Sequence, residues 1–316
     1  MDMTALLDPF ERMLDQAAPP AVVRAIENGG STDDLWAELS ASGYLDALVP
    51  ESAGGAGLTM ADAGPVLMAL GAAAMPLPVA ETMLARALLA EAGLSRPDGP
   101  IVLVASAWPV PAGAVAQHMI YADADQVWLA DIAERQPTGV HGDLAATLVP
   151  APAAQPIPGV SAEALRACAA MVRATAIAGA AERLLAMTVA YANDRVQFGK
   201  PIGKQQAVQQ QLAVMAELCI AARFASQIGC ADGLVPSLQA AATAKYAASA
   251  AAADIAAIAH AVHGAIGISA DYDLQLLTRR LHQWRLADGS DSYWATELGA
   301  LYLSGNASAL DFIRTA

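Results

Sequence analysis

The twelve residues from Arg195 to Gln206, RVQFGKPIGKQQ, lie between two long Ala-rich apolar segments and constrain the fold more than any other stretch. Glycine releases the backbone, while proline lacks an amide donor and fixes φ, so Gly199 and Pro201 interrupt helical periodicity. The flanking segments therefore read as separate long helices with a connector between them. Within the connector, Arg195 offers a planar fork of donors suited to phosphate, Phe198 an aromatic face, and Gln206 an amide that both donates and accepts. Two readings of these groups stand side by side: an ordinary helix-helix loop with a solvated arginine, or a grip for a nucleotide cofactor.

The helix before the connector follows a proline-rich linker, Val149 to Pro158, with Ser161 as its N-cap, and runs towards Ala192. After the connector, Val208, Leu212, Met215, Cys219 and Ala222 alternate steps of four and three, which makes a one-sided apolar stripe. Pro236 and Ser237 open another helix, whose few polar interruptions are Lys245, Asp254 and His260. The pattern predicts four or so antiparallel helices packed as a bundle over residues 160–316. Within it, Ala247 to Ile268 is mostly alanine but is broken by Asp254, His260 and His263, so it is expected to be a buried helix and not a membrane span.

Residues 1–98 read as helices joined by short turns, with Trp36, Leu39, Tyr44, Leu45, Leu67 and Leu70 as apolar anchors. The Gly-rich stretch Val49 to Leu58 reads as a turn, because no Gly-Lys-Ser/Thr follows it and no strand precedes it. Thr59, with Asp62 three residues on, has the form of a helix N-cap. Residues 99–159 differ in texture. The runs 101–104, 117–121, 126–129 and 145–149 are β-prone and bounded by Pro, Gly and Asp, which predicts a small β domain. The fold class is thus α+β, mainly α.

Composition excludes several functions. The 316 residues include 31 acidic against 17 basic, a net charge of -14 that argues against a nucleic-acid surface. Asp2, Asp8 and Glu11 stand in the N-terminal region where a secretory signal is cationic and then apolar, so a cytoplasmic location is expected. Cys168, Cys219 and Cys230 form no CxxC pair. His260 and His263 lack a third and fourth partner at metal-ligand spacing, so no metal is expected and the histidines read as structural or interface residues.

The order Arg-x-x-Phe-Gly-Lys-Pro-Ile followed by Gln, at Arg195 to Gln206, resembles the C-terminal signature of the acyl-CoA dehydrogenases, flavoenzymes that desaturate acyl-CoA thioesters. The Gly-Tyr-Leu, Val-Pro-Glu and Gly-Gly-Ala-Gly-Leu elements between Gly43 and Leu58 are similar to that family's N-terminal helical domain. The resemblance implies an N-terminal helical domain (1–98), a shortened middle β domain (99–159) and a C-terminal four-helix bundle (160–316). It further implies that Arg195, Phe198 and Gln206 hold the ADP half of an FAD across a subunit interface. His-Gly-Ala-Ile-Gly, with Gly264, matches the Gly-rich segment that contacts a neighbour's FAD, although the family's glutamine there falls on Ala261. The family's β domain walls the flavin with threonine, tryptophan and glycine segments that have no counterpart in the roughly sixty residues here.

The same resemblance puts the family's catalytic glutamate 21 residues after Gly267, where this chain has Asp288-Gly289-Ser290 in place of Glu-Gly-Thr, and implies that Gly289 and Ser290 contact the cofactor. Desaturation needs a base for the α-proton, and a carboxylate in a dry site can serve. Aspartate is one methylene shorter, and a misplacement of about 1 Å can cost roughly a hundredfold. Asp288 stands as that base, as a relic, or as a cap on the last helix. The family's alternative base position aligns near Ala169, which cannot act. Arg279, Arg280 and Arg285 read as a solvated face. The surrounding stretch Tyr272 to Arg280 resembles bacterial two-gene heteromers acting on steroid-derived CoA esters, which gives these arginines a second role near CoA phosphates or at a subunit contact.

Together these features imply a subunit of a heteromeric, α2β2 acyl-CoA dehydrogenase. FAD would be shared at an interface with a longer subunit, an acyl-CoA would be the substrate, and an electron-transferring flavoprotein the acceptor. A self-sufficient homomer using Asp288 and a catalytically silent stabilising subunit are the alternatives.

Overall fold

The computed structural model describes residues 3–106 and 109–314. Five helices open the chain: α1 (Met3–Ala17), α2 (Pro20–Glu27), α3 (Asp33–Ala41), α4 (Met60–Ala72) and α5 (Val79–Glu91). Leu39, Leu45, Leu67 and Leu70 are buried in a core that α5 completes with Met83, Leu84, Leu88 and Leu89. Thr59 starts α4 with a reciprocal cap. Its hydroxyl accepts from the Asp62 amide at 3.1 Å, and the Asp62 carboxylate accepts from the Thr59 amide at 3.3 Å. The preceding Gly-rich stretch is a tight turn, where a Cβ on Gly55 would meet the Val49 carbonyl at 2.1 Å.

The middle of the chain forms β1 (Ile101–Val104), β2 (His118–Asp123), β3 (Gln126–Pro137), β4 (Ala146–Pro150) and β5 (Gln155–Pro156). The sheet order is β1-β2-β3-β4, with β5 also on β3; β1 is parallel to β2 and the other pairs are antiparallel. The third run extends well past Leu129, because β3 is long enough to pair with β2 and β5 at one end and β4 at the other. The proline-rich linker is not wholly irregular, since Gln155 pairs with Leu129.

Then come α6 (Ala162–Asp194), a two-stranded ribbon of β6 (Val196–Gln197) and β7 (Lys200–Pro201), α7 (Gln206–Ala231), α8 (Leu238–His263), α9 (Leu274–Trp284), α10 (Asp291–Ser304) and α11 (Ala309–Arg314). Ser161 and Ser237 cap α6 and α8 by accepting from the amides of Ala164 and Ala240. Alanines let α6, α7 and α8 approach closely; Ala174, Ala178, Ala181, Ala222, Ala244, Ala248 and Ala252 are buried in one cluster. Ala192 of α6, Ile202 after the ribbon and Val262 of α8 pack together with Val208 and Leu212 of α7. The C-terminal ends of α6 and α8 therefore meet the N-terminal end of α7, so α7 runs against its two neighbours.

Two expectations are corrected. The stretch 247–268 is not one helix: α8 ends at His263, Gly264 turns the chain at φ 63°, and 264–268 is a 3-10 turn. Nor is the helix buried throughout. α6, α7 and the span Leu238–Ile268, which is α8 with its 3-10 turn, are all long and apolar enough to cross a membrane by length and composition, but their most apolar windows are 89%, 33% and 44% buried within this chain. α6 is core, whereas α7 and α8 each keep an uncovered side. The second correction concerns Arg279 and Arg280, which are not a solvated face. Both grip Glu27 of α2, Arg279 also donates to the Gly142 carbonyl, and Arg280 to the Ala74 carbonyl. Glu27 is itself almost fully buried, so this cluster ties α9 to the N-terminal helices and to a β-domain loop.

Candidate functional site

The residues singled out in the sequence fall into two places. Arg195 ends α6 in extended conformation, and the chain then reverses at Phe198 and Gly199 between β6 and β7. Both turn residues have positive φ, 54° and 77°, the geometry that a two-residue hairpin turn requires of its central pair. Asparagine and glycine favour that geometry and phenylalanine does not, so the connector holds an aromatic ring at its tip against the backbone preference. The ring is 91% exposed.

Arg195, Lys200 and Lys204 surround the hairpin, exposed, with no acid between residues 195 and 204, in a chain of net charge -14. The Arg195 side chain makes no hydrogen bond or ion pair among the described residues. Gln206 is the first residue of α7 and exposed; its neighbour Gln205 gives the helix no side-chain cap, so the amides of that N-terminus are left available. Gly264 belongs to the same end. Tyr191 stacks on His263 with ring centroids 4.4 Å apart and donates its hydroxyl to the His263 carbonyl, fixing the end of α8 beside the end of α6. Exposed cations, an aromatic face and a free helix N-terminus suit the phosphates and base of a nucleotide. His263 donates Nδ1–H to the Ala259 carbonyl and His260 shares a hydrogen bond with Thr278, both titrating below the usual range because of burial. Among the described residues no group of three or more His, Cys, Asp or Glu could hold a metal.

Asp288, Gly289 and Ser290 lie elsewhere, in the loop from α9 to α10. Lys245 of α8 donates to the Gly289 carbonyl at 2.7 Å, and Gly264 stands 19 residues further along. At 1.5 Å per residue the two places are roughly 28 Å apart. Ser290 is the N-cap of α10 and accepts from the Tyr293 amide. Gly289 has φ 96°, and a Cβ there would meet the Trp294 indole nitrogen at 2.5 Å, so no other residue fits without a shift. Asp288 also has positive φ, 56°, and its carbonyl accepts from Trp294 Nε1 at 2.9 Å.

The Asp288 carboxylate is buried and engaged. Arg173 of α6 donates Nε to it at 3.0 Å and Nη2 to Glu81 of α5 at 2.9 Å. All three side chains are less than a tenth exposed. Burial works against the Arg173 charge, but Glu81 and Asp288 outweigh it and hold the guanidinium above its ordinary range. Lys245 is fully buried, bonded to Ser249 and to the carbonyls of Arg285 and Gly289. Burial pushes it down to about 7, with Asp288 pulling the other way. Next to the ion cluster lies a cavity of about 290 Å³, walled by Leu67, Leu70, Met75, Leu77, Val172 and Trp284, with Glu81 and Arg173 in its lining and Asp288 absent from it.

Local sequence patterns did not single out Glu81, Arg173 or the anchoring role of Lys245. Their signal was available: each is a lone charge in an otherwise apolar helical stretch, where an unpaired ion would be costly, so each asks for a buried partner. Which partner it finds is a tertiary fact.

Comparisons with known proteins give this geometry its context. Residues 160–299 match the family model "Acyl-CoA dehydrogenase, C-terminal domain", and residues 2–95 match "Acyl-CoA dehydrogenase, N-terminal domain". The chain is 35% identical over 280 residues to acyl-CoA dehydrogenase IpdE2 of Mycolicibacterium smegmatis, covering 84% of this chain and 87% of that protein. Its fold is similar to a solved Tcur3481-Tcur3483 steroid ACAD variant, with TM-score 0.86, 24% identity and coverage of 97% of this chain and 99% of that one. The ChsE4-ChsE5 complex of Mycobacterium tuberculosis contains a similar chain, with TM-score 0.80, 22% identity and coverage of 97% and 99%. With both helical domains matched, the small sheet between them and the hairpin signature at its place in the bundle, this chain belongs to the acyl-CoA dehydrogenase family.

Proposed function

We propose that this chain is one subunit of a heteromeric FAD-dependent acyl-CoA dehydrogenase that introduces an α,β double bond into a steroid-derived acyl-CoA. The family generally binds FAD, which when bound accepts the hydride that leaves the β-carbon. In our reading Arg195 and the amides at the start of α7 bind its pyrophosphate, Phe198 stacks at the tip of the hairpin and Gln206 hydrogen-bonds from the first helical position. A longer partner subunit supplies the flavin wall and the base that takes the α-proton.

One observation carries this reading. The groups suited to a nucleotide are exposed and unpaired at one end of the bundle, while the carboxylate aligned with the family's base lies roughly 28 Å away in a buried ion cluster. The uncovered helix faces support a partner: Val214, Ile220 and Phe224 of α7 are 44%, 52% and 60% exposed along one side. The steroid substrate is supported by the description of the Tcur3481-Tcur3483 protein as a steroid ACAD, and a two-protein assembly by the ChsE4-ChsE5 complex. An electron-transferring flavoprotein fits as the acceptor.

The test is to purify the chain alone and together with a longer acyl-CoA dehydrogenase encoded beside it, then record the flavin spectrum. Flavin held only by the pair is the expected result. Yellow protein from the single chain, at one FAD per subunit, would reject the heteromer; a colourless pair would favour a silent stabilising subunit.

A further inference from the structure

Lysine is scarce in this chain, and its placement is one-sided. Lys200, Lys204 and Lys245 are the three lysines of the sequence. Lys245 is fully buried and bonded to Ser249 and to the carbonyls of Arg285 and Gly289. Lys200 and Lys204 are exposed and both lie in the connector, Lys200 on β7 and Lys204 in the 3-10 turn that leads into α7. Neither side chain has a hydrogen bond or ion pair among the described residues. Arg195 is held at the same end, because its carbonyl accepts from the Ile202 amide at 2.8 Å. Elsewhere Arg24, Arg86, Arg166, Arg173, Arg223 and Arg280 are each held by a carboxylate. From Arg195 to Ala216 the sequence has no acid, so in a chain of net charge -14 the connector is a local patch of positive potential.

We propose that Lys200 and Lys204 are acylation sites, modified by acyl-CoA thioesters while the chain has not yet joined its partner. CoA carries a phosphorylated ADP, which this patch attracts and the acidic remainder of the surface repels. The thioester sits at the far end of a flexible arm and reaches an ε-amine without a dedicated pocket, because holding both reactants on one surface raises their effective concentration. The free amine attacks the thioester carbonyl. A C–N bond forms, the C–S bond breaks, and CoA leaves as the thiol with the proton that the nitrogen gives up; no oxidant or reductant takes part. Each amide removes one positive charge. The consequence rests on the proposal that this end grips the phosphates of a shared flavin nucleotide. An acylated chain keeps its fold, since both lysines are exposed and unpaired, but loses part of that grip, so acyl-CoA in excess over the partner limits how much flavin-loaded heteromer forms.

The experiment compares acetyl-CoA with S-acetyl-N-acetylcysteamine, a thioester of comparable reactivity that lacks the nucleotide. The full chain, without partner, is incubated with each donor at equal concentration, and its peptides are read by mass spectrometry. Acetyl groups are expected on Lys200 and Lys204, incorporated at least about tenfold faster from acetyl-CoA at low salt, a preference that fades between about 0.01 M and 1 M salt. Equal rates from the two donors, or no acetyl group on either lysine, would overturn the proposal. For the consequence, the acetylated chain is mixed with its partner and FAD, and flavin affinity is expected to fall roughly tenfold. The double variant Lys200→Arg with Lys204→Arg keeps both charges, resists the donor and should hold flavin after the same treatment. Flavin held equally by acetylated and untreated chains would overturn the effect on assembly. Failure of the shared-site proposal shows separately, as FAD bound by the chain in the absence of any partner, and leaves the donor comparison standing.

Discussion

The hairpin end of the bundle and the ion cluster beneath α5 handle charge in opposite ways. At the hairpin, the side chains of Arg195, Lys200 and Lys204 stand in solvent with no partner among the described residues, and Phe198 is presented at a cost in backbone energy. At the cluster, Arg173, Glu81, Asp288 and Lys245 are buried and satisfy one another or nearby carbonyls. Buried charge that is satisfied is fixed in place, costly to break and has little left to offer a ligand, whereas exposed unpaired charge contributes little to folding and remains free to bind. The contrast separates what maintains this subunit from what it offers to another.

The largest expected effect breaks the cluster. Arg173→Met removes the guanidinium that bonds both buried carboxylates and should cost about 3–5 kcal/mol of stability, read by urea unfolding of the chain. An effect under about 1 kcal/mol would mean that the cluster is wetter than its burial indicates. Next is the opposite end: Arg195→Ala should weaken FAD binding by the assembled heteromer roughly tenfold to a hundredfold, the worth of a charge-assisted hydrogen bond, with no change in the chain's melting temperature. If stability fell instead, the arginine would belong to the fold.

Lys245 sharpens the comparison through pH. The unfolded chain keeps this proton up to the ordinary 10.5, whereas the folded chain releases it above about 7. Between those values the unfolded state binds more protons, so the Lys245 contribution makes stability rise with pH, at about 1.4 kcal/mol per unit. Lys245→Met should remove that rise, as measured by denaturation at about pH 7, 8 and 9. The smallest effect is at the hairpin tip. Phe198→Gly relieves a positive φ and should stabilise the chain by about 1 kcal/mol while weakening flavin retention in the heteromer, a gain and a loss at the same residue.

Much of this architecture is legible in the chain. Ser161 and Ser237 start the helices that their positions predict, and the Thr59 cap forms with Asp62, because capping depends on residues three positions apart. The strand at Gln126 runs longer than its apolar pattern indicates because its far half is polar and exposed, held by β4 and not by a periodic apolar face. Arg279 and Arg280 look solvated in the sequence because Glu27, their partner, lies about 250 residues away along the chain, beyond any local rule.

By itself the sequence determined the long Ala-rich helices, the break at Gly199 and Pro201, the small sheet between two helical domains and the family signature, since each depends on local periodicity or on residues close in sequence. The tertiary structure alone decided that the signature folds as a hairpin at an exposed end, and that Asp288 is drawn into a buried cluster with Arg173 and Glu81. A carboxylate's chemistry is set by the groups that surround it in space. Those groups come here from three helices and a loop that meet only when the chain has folded.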